Sequence, residues 1–256
     1  MTATYSGMIA YLSQLVWPLM RVSGLFLTMP LISTSLVSPR IRIIFAFALA
    51  FLIAPHIPER LSFLNFTGTY VYYIAEEILL GLTMGFILQM VFQIFIIGGQ
   101  IVAMQAGLGF AIMVDPASRA SVPLMSQMYQ LMVGLTFLAL DGHLAILEAL
   151  LFSFEKMPVG EMYNEFSLIG AVITFSSWMI KESVLVSLPA ILSMLLVTLS
   201  FGVMTRVAPQ LNIFSLGFPI TLLMGMIIVR VGLPGISSQI EGSLEQGLLL
   251  IKELLG

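Results

Sequence analysis

The sequence predicts an all-α membrane protein made of long, bent or broken helical hairpins. Hydrophobic residues make up 59% of the 256 and charged residues only 9%, whereas a soluble domain carries about 25% charged residues. With a mean hydropathy of +1.06, the chain cannot cover a water-facing surface. The apolar runs are long and unbroken, which favours helices over the alternating segments of about ten residues that a membrane barrel needs. About 20 apolar residues cross the hydrocarbon core, so the length allows about six or seven crossings. No room remains for a separate soluble domain, and residues 1–256 read as one membrane-associated domain.

Charges and helix breakers divide the chain into blocks. The first runs from about Tyr5 to Leu36 with Arg21 near its middle. No Lys or Arg precedes Arg21 and no small-residue cleavage site follows the run, so it is expected to be a retained helix and not a removed signal peptide. "SPRIR" (38–42) separates it from a second block, Ile43 to Ile57. A polar patch around Glu59, Arg60 and Asn65 precedes a third block over about 70–106, with Glu76 and Glu77 near its start. The fourth block, Leu124 to Phe154, is interrupted by Asp141, His143 and Glu148, and Asp141-Gly142-His143 reads as a turn between half-spans. "EKMPVGEMYNE" (155–165) is the most polar loop, and the fifth block, 166–205, contains Lys181 and Glu182. "RVAPQLN" (206–212) leads to a last span over about 213–233. After Pro234-Gly235 a separate amphipathic helix is expected, with Ile236, Ile240, Leu244, Leu248 and Ile251 on one stripe.

As a single helix the fifth block would be roughly 60 Å long, about twice the hydrocarbon thickness. Either it folds back at Lys181-Glu182, or it projects beyond the bilayer and must be covered by protein. Assuming six spans, Arg40, Arg42, Arg119 and Arg206 fall on one side and Arg60, Lys156 and Lys252 on the other. That balance sets no orientation.

The absence of cysteine excludes disulfides, thiolate metal sites and a Cys nucleophile. The net charge of −3 gives no basis for nucleic-acid binding. There is no Gly-Lys dipeptide for a phosphate-cradling loop. His56 and His143 stand in no zinc-protease setting, and Asp115 and Asp141, the only aspartates, make no Mg²⁺ cluster. No cofactor, metal or enzymatic activity is expected.

Arg21, Glu76, Glu77, Lys181 and Glu182 are ionisable residues inside apolar blocks and therefore candidate functional positions. They either pair within the protein or across subunits, or relay protons. Gln89, Gln93 and Gln100 fall within roughly 40° of one another on a helix. Such a stripe serves interhelical hydrogen bonding or lines a wet pore. Gly81 and Gly85 form a GxxxG that lets another backbone approach. "MQAGLGFAIMVDPASRASVP" (104–123) is too apolar for a wet loop and too rich in breakers for a helix. Gly107 and Gly109 release the helix, and Pro116 and Pro123 prevent its return. Phe110, Ile112, Met113 and Asp115 lie between. Such backbone is tolerated at membrane depth where protein buries it or a wet cavity adjoins it, so the segment is a stopper for a hole or an ordinary buried connection.

With "RVSGLFLTMPLI", "SPRIR", "GLGFAIMVDPASRASVP" and above all "RVAPQLNIFSLGFPI", essentially the whole chain resembles the FliR/SctT family of the type III secretion export gate. Ile220 departs from the basic residue expected there. The resemblance implies a FliP-like part over 1–165 and a FliQ-like hairpin with an amphipathic helix over 166–256. It also implies FliP-like, FliQ-like and FlhB-like partners, unfolded substrates in transit, and the bacterial inner membrane at the flagellar basal body. By analogy, Arg206, Pro209, Gln210, Asn212, Gly217 and Pro219 contact neighbouring subunits. The segment containing Gly107, Gly109, Phe110, Ile112, Met113, Asp115 and Pro116 would be the plug. The expected function is a structural and gating subunit of the export channel. The alternative is a secondary transporter of a small solute, which would need interrupted spans in two matching halves.

Overall fold

A computed structural model describes residues 2–34, 37–57, 68–107, 124–160, 165–208 and 218–255, with side chains from 14, 168 and 219 onward in the first, fifth and sixth segments. The order is α1 (Thr2–Thr28), α2 (Pro39–Ile53) with a 3₁₀ turn (Ala54–His56), α3 (Thr69–Gln105), α4 (Leu124–Ala139), α5 (Gly142–Lys156), α6 (Glu165–Val207) and α7 (Phe218–Leu255). Among the described residues the secondary structure is entirely helical.

Local chemistry sets several boundaries. Ser38 is extended (φ −63°, ψ 145°) and its hydroxyl accepts from the Ile41 N–H, with Pro39 in the first turn. Serine at the cap and proline just inside satisfy the orphan donors of a helix start. Arg42 Nη2 donates to the carbonyls of Thr34 (2.6 Å) and Val37 (3.2 Å), tying α2 to the turn before it. Asp141 adopts the left-handed region (φ 53°, ψ 28°) at the start of α5, a conformation Asp tolerates better than most residues. It interrupts the fourth block at the expected place. Gly107, at φ 87°, ends α3, the role glycine serves at a helix C-terminus.

One open alternative about helix ends is decided and one expectation is corrected. No hairpin forms at Lys181-Glu182, because α6 runs unbroken for 43 residues. Lys and Glu are both good helix formers, and no turn residue accompanies them. Pro234 does not separate a span from a tail either, since it lies inside the 38-residue α7. Proline removes one backbone hydrogen bond, but the apolar stripe stays in phase through it. Val229, Ile236, Ile240, Leu244 and Ile251 are all buried. The number of crossings falls accordingly. Among the described residues four helices are long and apolar enough to span a bilayer, or five if α4 and α5 form one broken span. Chain that would have made two crossings is spent in single helices: α6 is about 65 Å long and α3 about 55 Å.

Two compact units are present, Met1–Met90 with Asp141–Phe175 and Glu245–Gly256, and Val91–Leu140 with Ser176–Leu244. In the first, α1 packs on α2, where Phe26 and Phe45 stack at 5.3 Å, and on the first half of α3. A Cβ on Gly81 would lie 2.8 Å from Leu25 N, and one on Gly24 would lie 3.0 Å from Leu82 N. The two backbones touch there because glycine stands on both sides, the small-residue contact that replaces hydrophobic driving force in lipid. In the second unit, a Cβ on Gly99 would come within 2.9 Å of Ser126 Cα on α4, and Phe92 meets Phe137 edge-on at 5.7 Å. Gly225 of α7 sits against Ala106 in the same way, its Cβ 2.7 Å from the Ala106 Cβ.

Candidate functional site

The most polar buried feature lies in the first unit, around Arg21, which is 0% exposed. Its guanidinium grips Glu77 in a two-pronged pair, Nε to Oε2 at 2.7 Å and Nη2 to Oε1 at 2.8 Å. Nη1 donates to Ser153 Oγ and Nη2 to the Met157 carbonyl, each at 2.8 Å. The Phe154 ring lies 4.0 Å from the guanidinium carbon. One side chain thus joins α1, α3 and the end of α5. The Ser153 hydroxyl in turn donates a hydrogen bond to the Leu150 carbonyl at 2.6 Å, so the acceptor of Nη1 is itself held in place. A charge in a low-dielectric interior is tolerable only in this condition. Arginine is suited to the role because its planar fork matches a carboxylate.

Glu76, beside Glu77, is also buried. Lys181 and Glu182 were expected among the buried charges, but within the chain Lys181 is exposed and Glu182 half-buried. Among the described residues, nothing buries either of them fully. Sequence reasoning did not find Ser153, Phe154 or the Met157 carbonyl. Ser153 lies 132 positions from Arg21, and no spacing rule connects residues so far apart. Gly24, by contrast, could have been found as a small residue one turn from Arg21, matching Gly81 and Gly85.

Gln89, Gln93 and Gln100 are all half-buried on α3. Gln89 Oε1 is buried with no hydrogen-bond partner among the described residues, an orphan that normally calls for water or a neighbour. The plug candidates Gly109, Phe110, Ile112, Met113, Asp115 and Pro116 lie outside the described residues, as do Pro209, Gln210, Asn212 and Gly217. Gly107 closes α3, as noted above. Arg206, near the end of α6, and Pro219, near the start of α7, are exposed. Among the described residues no three His, Cys, Asp or Glu side chains converge on a point that could hold a metal.

These features define a polytopic helical membrane protein whose interior polar groups hold helices together. The chain belongs to the bacterial export proteins, family 1, which it matches over residues 12–247, and with it to the FliR/SctT family. It is 31% identical to flagellar biosynthetic protein FliR of Escherichia coli over 226 residues, covering 88% of this chain and 86% of that protein. The FliR of Aquifex aeolicus is 32% identical over 232 residues, 88% and 86% of the two chains. The surface presentation of antigens protein SpaR of Shigella flexneri is 28% identical over 213 residues, 82% and 80%.

Proposed function

We propose that this chain is the structural and gating subunit of a type III protein-export channel in the bacterial inner membrane, without catalytic activity of its own. The carrying observation is the family match over nearly the whole chain, with relatives named flagellar biosynthetic protein FliR and surface presentation of antigens protein SpaR. Helix geometry supports the same reading. The apolar window of α6 is only 17% buried, and the helix is about twice as long as hydrocarbon requires. Apolar helix beyond the bilayer needs a protein cover, and FliP-like, FliQ-like and FlhB-like subunits would supply it. Residues 1–165 would act as the FliP-like part and 166–256 as the FliQ-like part. Arg206, Pro209, Gln210, Asn212, Gly217 and Pro219 would meet the neighbours.

The gating step is passive. The segment after Gly107, with Gly109, Phe110, Ile112, Met113, Asp115 and Pro116, fills the closed channel and moves aside when an unfolded substrate enters. Gln89, Gln93 and Gln100 would line or brace that path. In cells, Gly109→Asp and deletion of 110–114 are expected to raise ion leakage and change secretion. Unchanged leakage and secretion in both variants would remove the plug role, while the family membership would stand.

A further inference from the structure

We propose that the groove between α3 and the first part of α6 docks an apolar helix of another protein subunit, edged by basic residues, at a depth outside the hydrocarbon. The inference deepens the channel reading and rests on its premise that the chain works beside other subunits. The groove has a volume of about 280 Å³ and lies within the first unit. Leu79, Leu82 and Phe86 of α3 form one wall, and Ile169, Val172 and Ile173 of α6 the other. Phe86 is 42%, Ile169 52% and Ile173 65% exposed, so the described residues leave these walls open. Ile169 and Ile173 stand one turn apart on one face of α6, the spacing of a ridge that packs against a facing helix.

Two helices set the depth of this groove. Along α6 no charged residue occurs between Glu182 and Arg206, and the run 183–205 is about 35 Å long as a helix, enough to cross the hydrocarbon. The stretch 166–180, between Glu165 and Lys181, reaches only about 22 Å and is too short. Ile173 and Ile169 then lie about 12 and 18 Å beyond Lys181, on the side away from the span. The exposed surface of α7 changes at the same level. Up to Val231 its large exposed side chains are mostly apolar, Leu223, Met226 and Ile227 among them. Arg230 stands one turn before Pro234, within snorkelling reach of the boundary. From Ser238 onward Glu241, Glu245, Lys252 and Glu253 are exposed, and Leu249 is the one large apolar side chain exposed there among the described residues. A surface so charged does not face hydrocarbon. Contact between α6 and α7 aligns the two boundaries, because Met194 Cε lies 3.8 Å from where a Cβ on Gly225 would be. Lys181 and Ser238 are equally many residues from that contact, on helices joined by the short connection between Val207 and Phe218. The first unit holds α6 up to Phe175 and α7 from Glu245, again in equal steps from it. An apolar groove at the depth where its neighbour shows carboxylates to water is not covered by acyl chains, so protein covers it. In the first unit α7 exposes Glu245 and Glu253 against Lys252, so the helix that complements this end carries Lys or Arg beside its apolar ridge.

The chain contains no cysteine, so single cysteines report water access directly. Ile173→Cys, Glu245→Cys and Leu196→Cys would be reacted with a charged, membrane-impermeant maleimide, in the lone chain and in the co-purified complex, both in lipid nanodiscs. In the lone chain Ile173→Cys should react as readily as Glu245→Cys, while Leu196→Cys, inside the span, should not. In the complex Ile173→Cys should slow by about tenfold or more, because the core of a protein interface excludes water. An Ile173→Cys as inert as Leu196→Cys in the lone chain would place the groove in lipid and overturn the proposal. Equal reactivity in chain and complex would overturn it as well, while the recovered complex would leave the channel reading standing. Recovery of the chain without any other subunit would instead remove the channel reading, and this inference with it. As a second measurement, a photo-cross-linking residue at Ile169 in whole cells should capture another subunit at an apolar position with Lys or Arg within a turn. Capture of lipid, or of a segment without a basic residue, would contradict the assignment.

Discussion

Arg21 shows what a charge needs in order to sit inside an apolar helix bundle. It has four hydrogen bonds to three acceptor residues and an aromatic face. Removing one partner leaves the other charge buried and uncompensated, so Arg21→Ala is expected to destabilise the chain by about 3–5 kcal/mol. The double variant Arg21→Met with Glu77→Leu should recover much of that loss, because no charge is then stranded. Thermal unfolding of the wild type, Arg21→Met, Glu77→Leu and the double variant in one detergent checks the cycle, and full additivity of the two single effects would contradict the pairing. Arg21 and Glu77 could be recognised in the sequence as charges in apolar blocks. Their pairing across 56 positions could not, since helical phase fixes a residue's face but not its tertiary neighbour. Gly107 gives a second prediction at this scale. Its φ of 87° suits glycine, and Gly107→Val should add about 1–2 kcal/mol of backbone strain. The expected result is earlier loss of helicity on heating; an unchanged melting curve would count against this.

At the scale of the element, glycines divide into two groups. Gly24, Gly81 and Gly85 have neighbouring backbone where a Cβ would be, so Gly81→Val should force α1 and α3 apart and prevent accumulation of folded chain. Gly202, inside α6, has nothing within 4 Å among the described residues. A helical glycine costs about 1 kcal/mol relative to alanine, and no contact at Gly202 among the described residues offsets that. Gly202→Leu is therefore expected to leave the chain folded but impair its assembly, as read by co-purification of neighbouring subunits. Normal assembly would mean that no partner backbone comes close there. Element existence was legible from composition, and the break at Asp141 from its turn residues. The continuity of α6 and α7 was not. For α6 a hairpin and a single long helix were both open until the helix formers at Lys181-Glu182 are seen to continue it, whereas Pro234 looks like punctuation and the buried stripe through Ile236 and Ile240 decides against it.

For the whole molecule, the contrast between α3 and the later helices matters most. The apolar window of α3 is 67% buried, against 17% for those of α2, α6 and α7. One helix is a core element of this chain, and the other three present most of their surface to something else. Lipid suffices for about 30 Å of each, but not for the full length of α6. The claim that follows is that the chain is one part of a larger assembly. Native mass spectrometry of the tagged chain, co-expressed with its neighbouring membrane genes and extracted in mild detergent, tests it most directly. The expected result is a discrete hetero-oligomer with one copy of this chain and several copies of two smaller membrane proteins. A stable monomer or homodimer, with no other protein bound, would contradict it.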